Sequence, residues 1–468
     1  MEQLPLQFQQ LILDFSAVIR TAPAAESFMT LVLGWLLCNG RRTLSGVIRA
    51  AGPEATKSHD AYQNFFSKSE WSMDALWKLL FLFLVKVFPD GCNQPHEYSE
   101  KTIWIAGDDT LSKHYGRKIW GAGVYRDAVR STKRHVAYAW GLNWVVLTMI
   151  VKLPLGRDRF IGFPIYARLN PKLDGKCNPP TQDEKSKPKA KGKGSKKKKT
   201  NVSIMEEMVR TVAGWLPEAK FVFTGDGAYA CLAAHMPENV HLVSRIRRDA
   251  ALYEAPPKTR KKKRGRPAKK GKRLPAPQEI ANRPGIRWKT FWISLYGKTV
   301  KRKLYTFNAL WYEACPNQMV KVVIVRDPQG KQDDEFFFST DLEMPAEVII
   351  LCYEGRWAIE VVFRETKQYL GMNDPQARKK EAVLRITPFC LWLNSVIKLW
   401  FIQQSRDGQP TLPDNDPWYT HKNTVSFQDM IGAIRLHFWR NYIISGSTYQ
   451  QDPQEIMTFL VNSLAKVT

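Results

Sequence analysis

The sequence predicts an α/β fold: a mixed sheet with helical crossovers, preceded by an all-α segment and followed by a mostly helical tail. Three observations predict it. Residues 1–95 carry apolar residues at helical spacing and no alternating run, as in AESFMTLVLGWLL and MDALWKLLFLFLVKVF. From residue 102 the period changes, and β-branched and aromatic runs alternate with amphipathic stretches. Residues 285–340 are strand-like almost throughout, and apolar helical sequence resumes after Met344-Pro345.

Taken in order, residues 1–98 form a helical N-terminal domain. Residues 99–250 are the first part of the sheet domain. TIWIAGDDT (102–110) reads as a strand ending in two acids, and NWVVLTMIVKL (143–153) and RFIGFPIYARL (159–169) as two more. VSIMEEMVRTVAGWL (202–216) is an amphipathic helix. AKFVFTGDGAYA (219–230) is a strand entering a Gly-bracketed turn, AYACLAAHM a short helix, and VHLVSRIR (240–247) a further strand. This order of elements requires a mixed sheet. Residues 251–342 are an insertion whose β-rich part is 285–340, residues 343–402 return to the sheet domain, and residues 403–468 are mostly helical, as in SFQDMIGAIRLHFW and PQEIMTFLVNSLAKV.

With 468 residues the chain supports several domains and a large core. No run reaches the roughly 18 uninterrupted apolar residues of a membrane span. ITPFCLWLNSVIKLWFI, near 386–402, is broken by Asn394, Ser395 and Lys398 and reads as a buried helix. MEQLPLQFQQ lacks the layout of a signal peptide. The cysteines at 38, 92, 177, 231, 315, 352 and 390 form no CxxC pair, which points to a reducing, intracellular compartment and away from a zinc knuckle.

The net charge of +26 is unevenly spread. Residues 183–200, with nine lysines and two acids, contribute +7, and residues 258–273, with eleven basic residues and no acid, contribute +11. That is 7 + 11 = 18 of the 26, leaving +8 for the rest. Both stretches are rich in Lys, Gly and Pro without apolar periodicity and are expected to be disordered loops. Cations so concentrated suit a polyphosphate partner, because each neutralised phosphate releases counterions. Lys263, Arg264 and Arg266 lie in KRGRP, which resembles the core of the AT-hook, an arginine-rich strand for the A·T minor groove. The N-terminal helices then suit DNA contact, dimerisation or both.

Candidate chemistry rests on acids. Asp108 and Asp109 close one expected strand and Asp226 closes another. Ligands of an α/β sheet gather outside the carboxyl ends of its strands, and paired carboxylates there can hold a divalent cation. Gly-Asp-Gly around Asp226 is also ordinary turn chemistry. In CYEGRWAIEVVFRETKQYLG (352–371), at about 100° per residue, Tyr353, Arg356, Trp357, Glu360, Arg364 and Lys367 share an arc of roughly 100°. The opposite face holds Ala358, Ile359, Val362, Phe363, Tyr369 and Leu370, and Glu354 and Glu365 fall at the edge. Glu360 is therefore an acid set in a cationic ridge above a buried face. Its spacing to Arg356 and Arg364 also allows plain i,i+4 salt bridges.

Tyr353-x2-Arg356-x3-Glu360-x6-Lys367 resembles the Y-R-E-K signature of the DDE transposases of bacterial insertion sequences. GDDT and TGDGAY resemble that family's first and second aspartate motifs, in the expected order. The resemblance covers about residues 100–370. It implies a ribonuclease-H-like fold with a β-rich insertion between the second Asp and the Glu. It implies catalytic and metal-binding roles for Asp108, Asp226 and Glu360, with two Mg²⁺ ions (Mn²⁺ as substitute). The family pattern of hydrophobic-x-Asp-x-Thr selects Asp108, with Thr110, over Asp109. Tyr353, Arg356 and Lys367 would by the resemblance grip transposon-end DNA, Arg364 would join them as a further cation of the ridge, and one of Trp288, Trp292 and Trp311 would stack on a flipped base. The two basic loops depart from the family and would be extra DNA grips.

The expected protein is thus a DNA transposase that binds inverted-repeat ends, cleaves them by two-metal-ion hydrolysis and joins the 3′-hydroxyls to target DNA. It would act on double-stranded DNA as a homodimer in the bacterial cytoplasm, associated with the nucleoid and with no membrane. A non-transposing metal-dependent nuclease and a non-enzymatic DNA-binding protein are the alternatives. A glycosidase with paired carboxylates is disfavoured by the cationic ridge.

Overall fold

The computed structural model describes residues 2–90, 102–132, 134–155, 157–172, 199–257, 268–295, 298–408, 410–414 and 424–448. The described part opens with five helices, α1 (Leu6–Ser16), α2 (Ala22–Leu37), α3 (Leu44–Ala51), α4 (His59–Ser67) and α5 (Met73–Val87). Their starts follow from local chemistry. Thr43, Ser58 and Ser72 each accept a backbone N–H from the first turn of α3, α4 and α5.

The sheet follows: β1 (Thr102–Lys113), β2 (Gly123–Arg126), β3 (Tyr138–Leu155) and β4 (Arg157–Asn170), then α6 (Asn201–Trp215), β5 (Lys220–Gly225), a 3₁₀ turn (Gly227–Ala234) and β6 (Val240–Arg245). β3 runs antiparallel to β1 and β4, whereas β5 lies parallel to β1 and β6 parallel to β5. The spatial order β4-β3-β1-β5-β6 is consistent with a ribonuclease-H-like core. A short α7 (Pro277–Ala281) precedes β7 (Lys289–Leu295), β8 (Lys298–Ala309), β9 (Val320–Arg326) and β10 (Glu335–Ser339). β10 pairs with β6, so these four strands continue the same sheet, which counts ten strands among the described residues.

One expectation needs correcting here. The two acids of TIWIAGDDT lie inside β1 and do not end it. β1 loses its β5 partner after the Gly107–Gly225 rung but stays paired with β3 as far as Lys113–Gly141. One edge of the strand is thus freed at the acids while the other edge holds it extended.

The helices α8 (Ala346–Gly355), α9 (Trp357–Tyr369), α10 (Lys380–Asp407) and α11 (Phe427–Thr448) complete the fold. The second half of the tail, PQEIMTFLVNSLAKV, lies outside the described residues. α10 is long and apolar enough to cross a membrane, but nine-tenths of its most apolar window is buried inside the protein. What buries it is the N-terminal bundle. Trp392 packs against Phe15 and Phe28 at ring distances of 5.3 and 5.4 Å, and Phe389 against Trp35 at 5.2 Å. An all-apolar helix needs cover on every side, and α1–α5 supply the side that the sheet does not.

α9 lies on β4 through Ala358, Ile359, Val362, Phe363 and Thr366. Gly162 of β4 permits this approach: a Cβ there would stand 3.0 Å from the Ala358 carbonyl oxygen and the Val362 side chain. Below α9, the buried Lys398 of α10 donates to the Gly162 carbonyl at 3.0 Å and pairs with Glu365 at 2.7 Å. Sheet, α9 and α10 are thereby locked in one register.

Candidate active site

The parallel rungs of β1 and β5 end at Gly107 and Gly225, and the next residues are Asp108 and Asp226. Two aspartates thus follow the point where the two strands part, close enough for their charges to interact. Asp226 is fixed by its own turn: its side chain accepts the Ala228 N–H at 3.0 Å, and its carbonyl accepts the Ser244 hydroxyl of β6 at 3.0 Å. It is both a turn residue and a strand-end acid.

Asp108 and Asp109 point to opposite faces, as neighbours in a strand must. Asp108 faces α9, where Arg356 Nη1 lies 3.5 Å from its Oδ2, and its Oδ1 accepts the Asp109 N–H at 2.8 Å. Asp109 faces the other way, accepting the Tyr229 hydroxyl at 3.3 Å beside Asn143 and Asn201. Burial pushes the Asp108 carboxyl up to about 7, helped by the charges of Asp109 and Asp226 and opposed by the Asp109 N–H and Arg356. Burial and the same three aspartates push the Tyr229 phenol far up, so it stays a donor. Tyr229 was missed as a site residue; its only signal is its place in TGDGAY.

Glu360 comes from α9. The chain between α8 and α9 passes through Arg356 in helical conformation, with 3₁₀-type bonds Arg356 N–H to Tyr353 and Ile359 N–H to Arg356. The expected ridge therefore spans two helices without losing its face. Arg356 Nη2 donates to Glu360 Oε1 at 2.8 Å, so one guanidinium bridges Asp108 and Glu360. The Tyr353 ring lies between Arg356 at 5.5 Å and Arg245 of β6 at 5.2 Å. Arg245 was not foreseen, since only the register of β6 puts it there. Lys367 donates to Thr110 at 2.7 Å, and burial brings its ammonium down to about 8. Arg364 is exposed. Glu365 is bound inward to Lys398, away from this face.

Among the described residues, no group of three or more His, Cys, Asp or Glu side chains is gathered closely enough to hold a metal ion. Asp108 and Asp226 adjoin, and Glu360 reaches Asp108 only through Arg356. By chemistry the donors still fit a hard divalent cation. They are all carboxylate oxygens, and Asp108, raised chiefly by burial, also feels the charges of Asp109 and Asp226, which a cation would relieve.

The three tryptophans separate clearly. Trp311 is buried against Phe338, Trp288 is covered by Arg326 at 4.5 Å, and Trp292 is 68% exposed with Lys301 over its ring at 6.0 Å. Of the three, only Trp292 offers a free face. Lys263, Arg264 and Arg266 lie outside the described residues, as does nearly all of the 183–200 stretch.

Residues 14–295 match the family model of the DDE superfamily endonucleases, and residues 310–399 match an archaeal transposase-like family, ISC1217. The first match contains Asp108 and Asp226, and the second contains Tyr353 to Lys367. No curated protein matches the chain. The first match spans more than half of the chain, which therefore belongs to the DDE superfamily of endonucleases.

Proposed function

We propose that this protein is a DNA transposase that binds the inverted-repeat ends of an insertion sequence, hydrolyses a phosphodiester at each end and joins the 3′-hydroxyls to target DNA. The observation that carries the proposal is that Asp108 and Asp226 directly follow the last parallel rung of β1 and β5, with Glu360 joined to Asp108 through Arg356. Asp108, Asp226 and Glu360 would hold divalent metal, Mg²⁺ or Mn²⁺. When bound, the metal supplies activation of the attacking oxygen and stabilisation of the leaving one.

The chain's own residues do the rest. Arg356, braced by the Tyr353 ring, presents a guanidinium where a phosphate beside the scissile bond would arrive. Lys367, resting on Thr110, adds a second cation on the same face. Asp109 and Tyr229 tie β1 to the turn after β5 and so hold Asp108 and Asp226 in their relative places. The protein would act as a homodimer, with one such site per DNA end.

The test uses the full chain, Mg²⁺ and duplex DNA bearing the ends of the element. Glu360→Gln and Asp226→Asn are expected to abolish cleavage and end joining while the variants still bind the duplex. Full activity in either variant would defeat the assignment. Supplying a pre-cleaved end with a free 3′-hydroxyl separates transposase from simple nuclease, because only the former joins it to a target plasmid.

A further inference from the structure

A cationic loop beside the site is used by nothing described so far. Residues 113–138 hold seven Lys and Arg against one acid, Asp127, a net of 7 − 1 = +6. That is most of the +8 left outside the two lysine-rich stretches. The loop itself, residues 127–137, joins β2 to β3 and is built rather than loose. Asp127, buried at 3%, accepts the Val129 and Arg130 N–H groups at 3.2 and 3.3 Å and binds Lys113 at 2.6 Å. The Asp127 N–H donates to Ala137, the Ser131 N–H to Asp127, and the Thr132 N–H to His135.

Arg126, Arg130, Arg134 and His135 are exposed, and none of the three arginines pairs with a carboxylate among the described residues. In the turn that opens the loop, Val129 is 94% exposed. A single exposed valine means nothing by itself. A valine fixed in a hydrogen-bonded turn, with exposed arginines on either side, has the composition of a DNA wedge with its phosphate grips. The loop is also tied to the site: Lys113, which anchors Asp127, is the neighbouring cation of Lys367, and Lys367 rests on Thr110 two residues from Asp108.

We propose that the β2–β3 loop clamps duplex DNA next to the cleaved phosphate, with Arg126, Arg130 and Arg134 on backbone phosphates and Val129 pressed into the minor groove. The proposal rests on DNA being the substrate. Its chemistry is independent of the metal-binding acids.

The experiment measures binding of the full chain to a generic duplex oligonucleotide over a salt series. The variants are Arg126→Ala/Arg130→Ala/Arg134→Ala and, separately, Val129→Ser. Each lost phosphate contact should flatten the slope of log K against log salt by about 0.9, so the triple variant should lose about 2 to 3 units. Val129→Ser should keep the slope, weaken binding several-fold, and lose the fluorescence rise of 2-aminopurine placed in the duplex flank. An unchanged slope in the triple variant overturns the clamp while leaving metal-dependent cleavage by the wild type intact. A wild type that neither binds nor cleaves DNA removes both readings. An unchanged slope with an altered sedimentation coefficient would make the loop a subunit contact instead.

Discussion

Two acid–base pairs sit on opposite flanks of α9, only one and a half turns apart. Glu360 with Arg356 faces the open end of the sheet, with side chains 33% and 13% exposed. Glu365 with Lys398 faces α10, at 13% and 4%. The chemistry is the same and the surroundings are not. The open pair shares its cation with Asp108, and the carboxylates keep access to whatever enters the cleft. The inner pair is closed by further bonds, from Asn394 to Glu365 and from Lys398 to the Gly162 carbonyl. One pair is placed to exchange partners, and the other to hold the helix that carries it.

The comparison breaks if the two glutamates respond alike to neutralisation. Glu360→Gln should lower cleavage by at least about 10³-fold, the equivalent of several kcal/mol of metal-borne stabilisation. It should leave thermal stability almost unchanged, because a partly exposed pair contributes only about 0–1 kcal/mol. Cleavage kinetics and a melting curve on the same preparation check both halves.

Lys398→Met should behave in the reverse order. It removes the ion-pair partner of the largely covered Glu365, which keeps the Asn394 amide and the charge of Arg159, and should cost up to about 3–5 kcal/mol. The double variant Lys398→Met/Glu365→Gln should recover most of that loss, because no buried charge is stranded. Denaturant unfolding of the single and double variants measures the difference. A single variant as stable as the wild type would deny the inner pair its holding role.

Those two flanks were not equally legible from sequence. Angular position alone placed Glu360 on the cationic face and Glu365 off it, because a helix maps sequence onto face directly. The partner of Glu365 was invisible, since Lys398 lies on another helix and meets it only through packing on β4. The same limit governs the sheet. The strand runs around Asp108 and Asp226 were readable from residue type. That Asp108 rather than Asp109 meets Arg356, that β1 runs on past both, and that Tyr229 and Arg245 join the site all depend on register. The stapled loop at 127–137 was overlooked for another reason. Apart from Lys133-Arg134, its cations are spaced by apolar and polar residues and form no long run.

A smaller perturbation tests whether the inner flank governs the outer one. Gly162→Val would drive a side chain into the Ala358 carbonyl and Val362, contacts already at 3.0 Å for a bare Cβ. Overpacking of that kind costs about 1–3 kcal/mol. The helix should yield by moving off β4, carrying Glu360 with it, so cleavage should fall further than stability alone accounts for. Activity measured well below the melting temperature separates the two. Wild-type cleavage there would show that α9 keeps its place by other contacts.

The smallest expected effect concerns Lys367, whose titration burial moves toward neutrality. Burial and the neighbouring Lys113 bring it down to about 8, against the ordinary lysine value above 10. Below pH 8 the free protein presents a charged ammonium beside Thr110; above it the group goes neutral, and a phosphate arriving there must recruit a proton. Binding of duplex ends should therefore weaken a few-fold as pH rises through 8 and take up protons in that window. Lys367→Arg keeps the charge across the range and should abolish this pH dependence while preserving affinity at pH 7. Titrations at matched ionic strength read it directly. A wild type whose affinity is flat from pH 7 to 9 would mean that Lys367 does not meet the phosphate, and that the cationic side of α9 ends at Arg356.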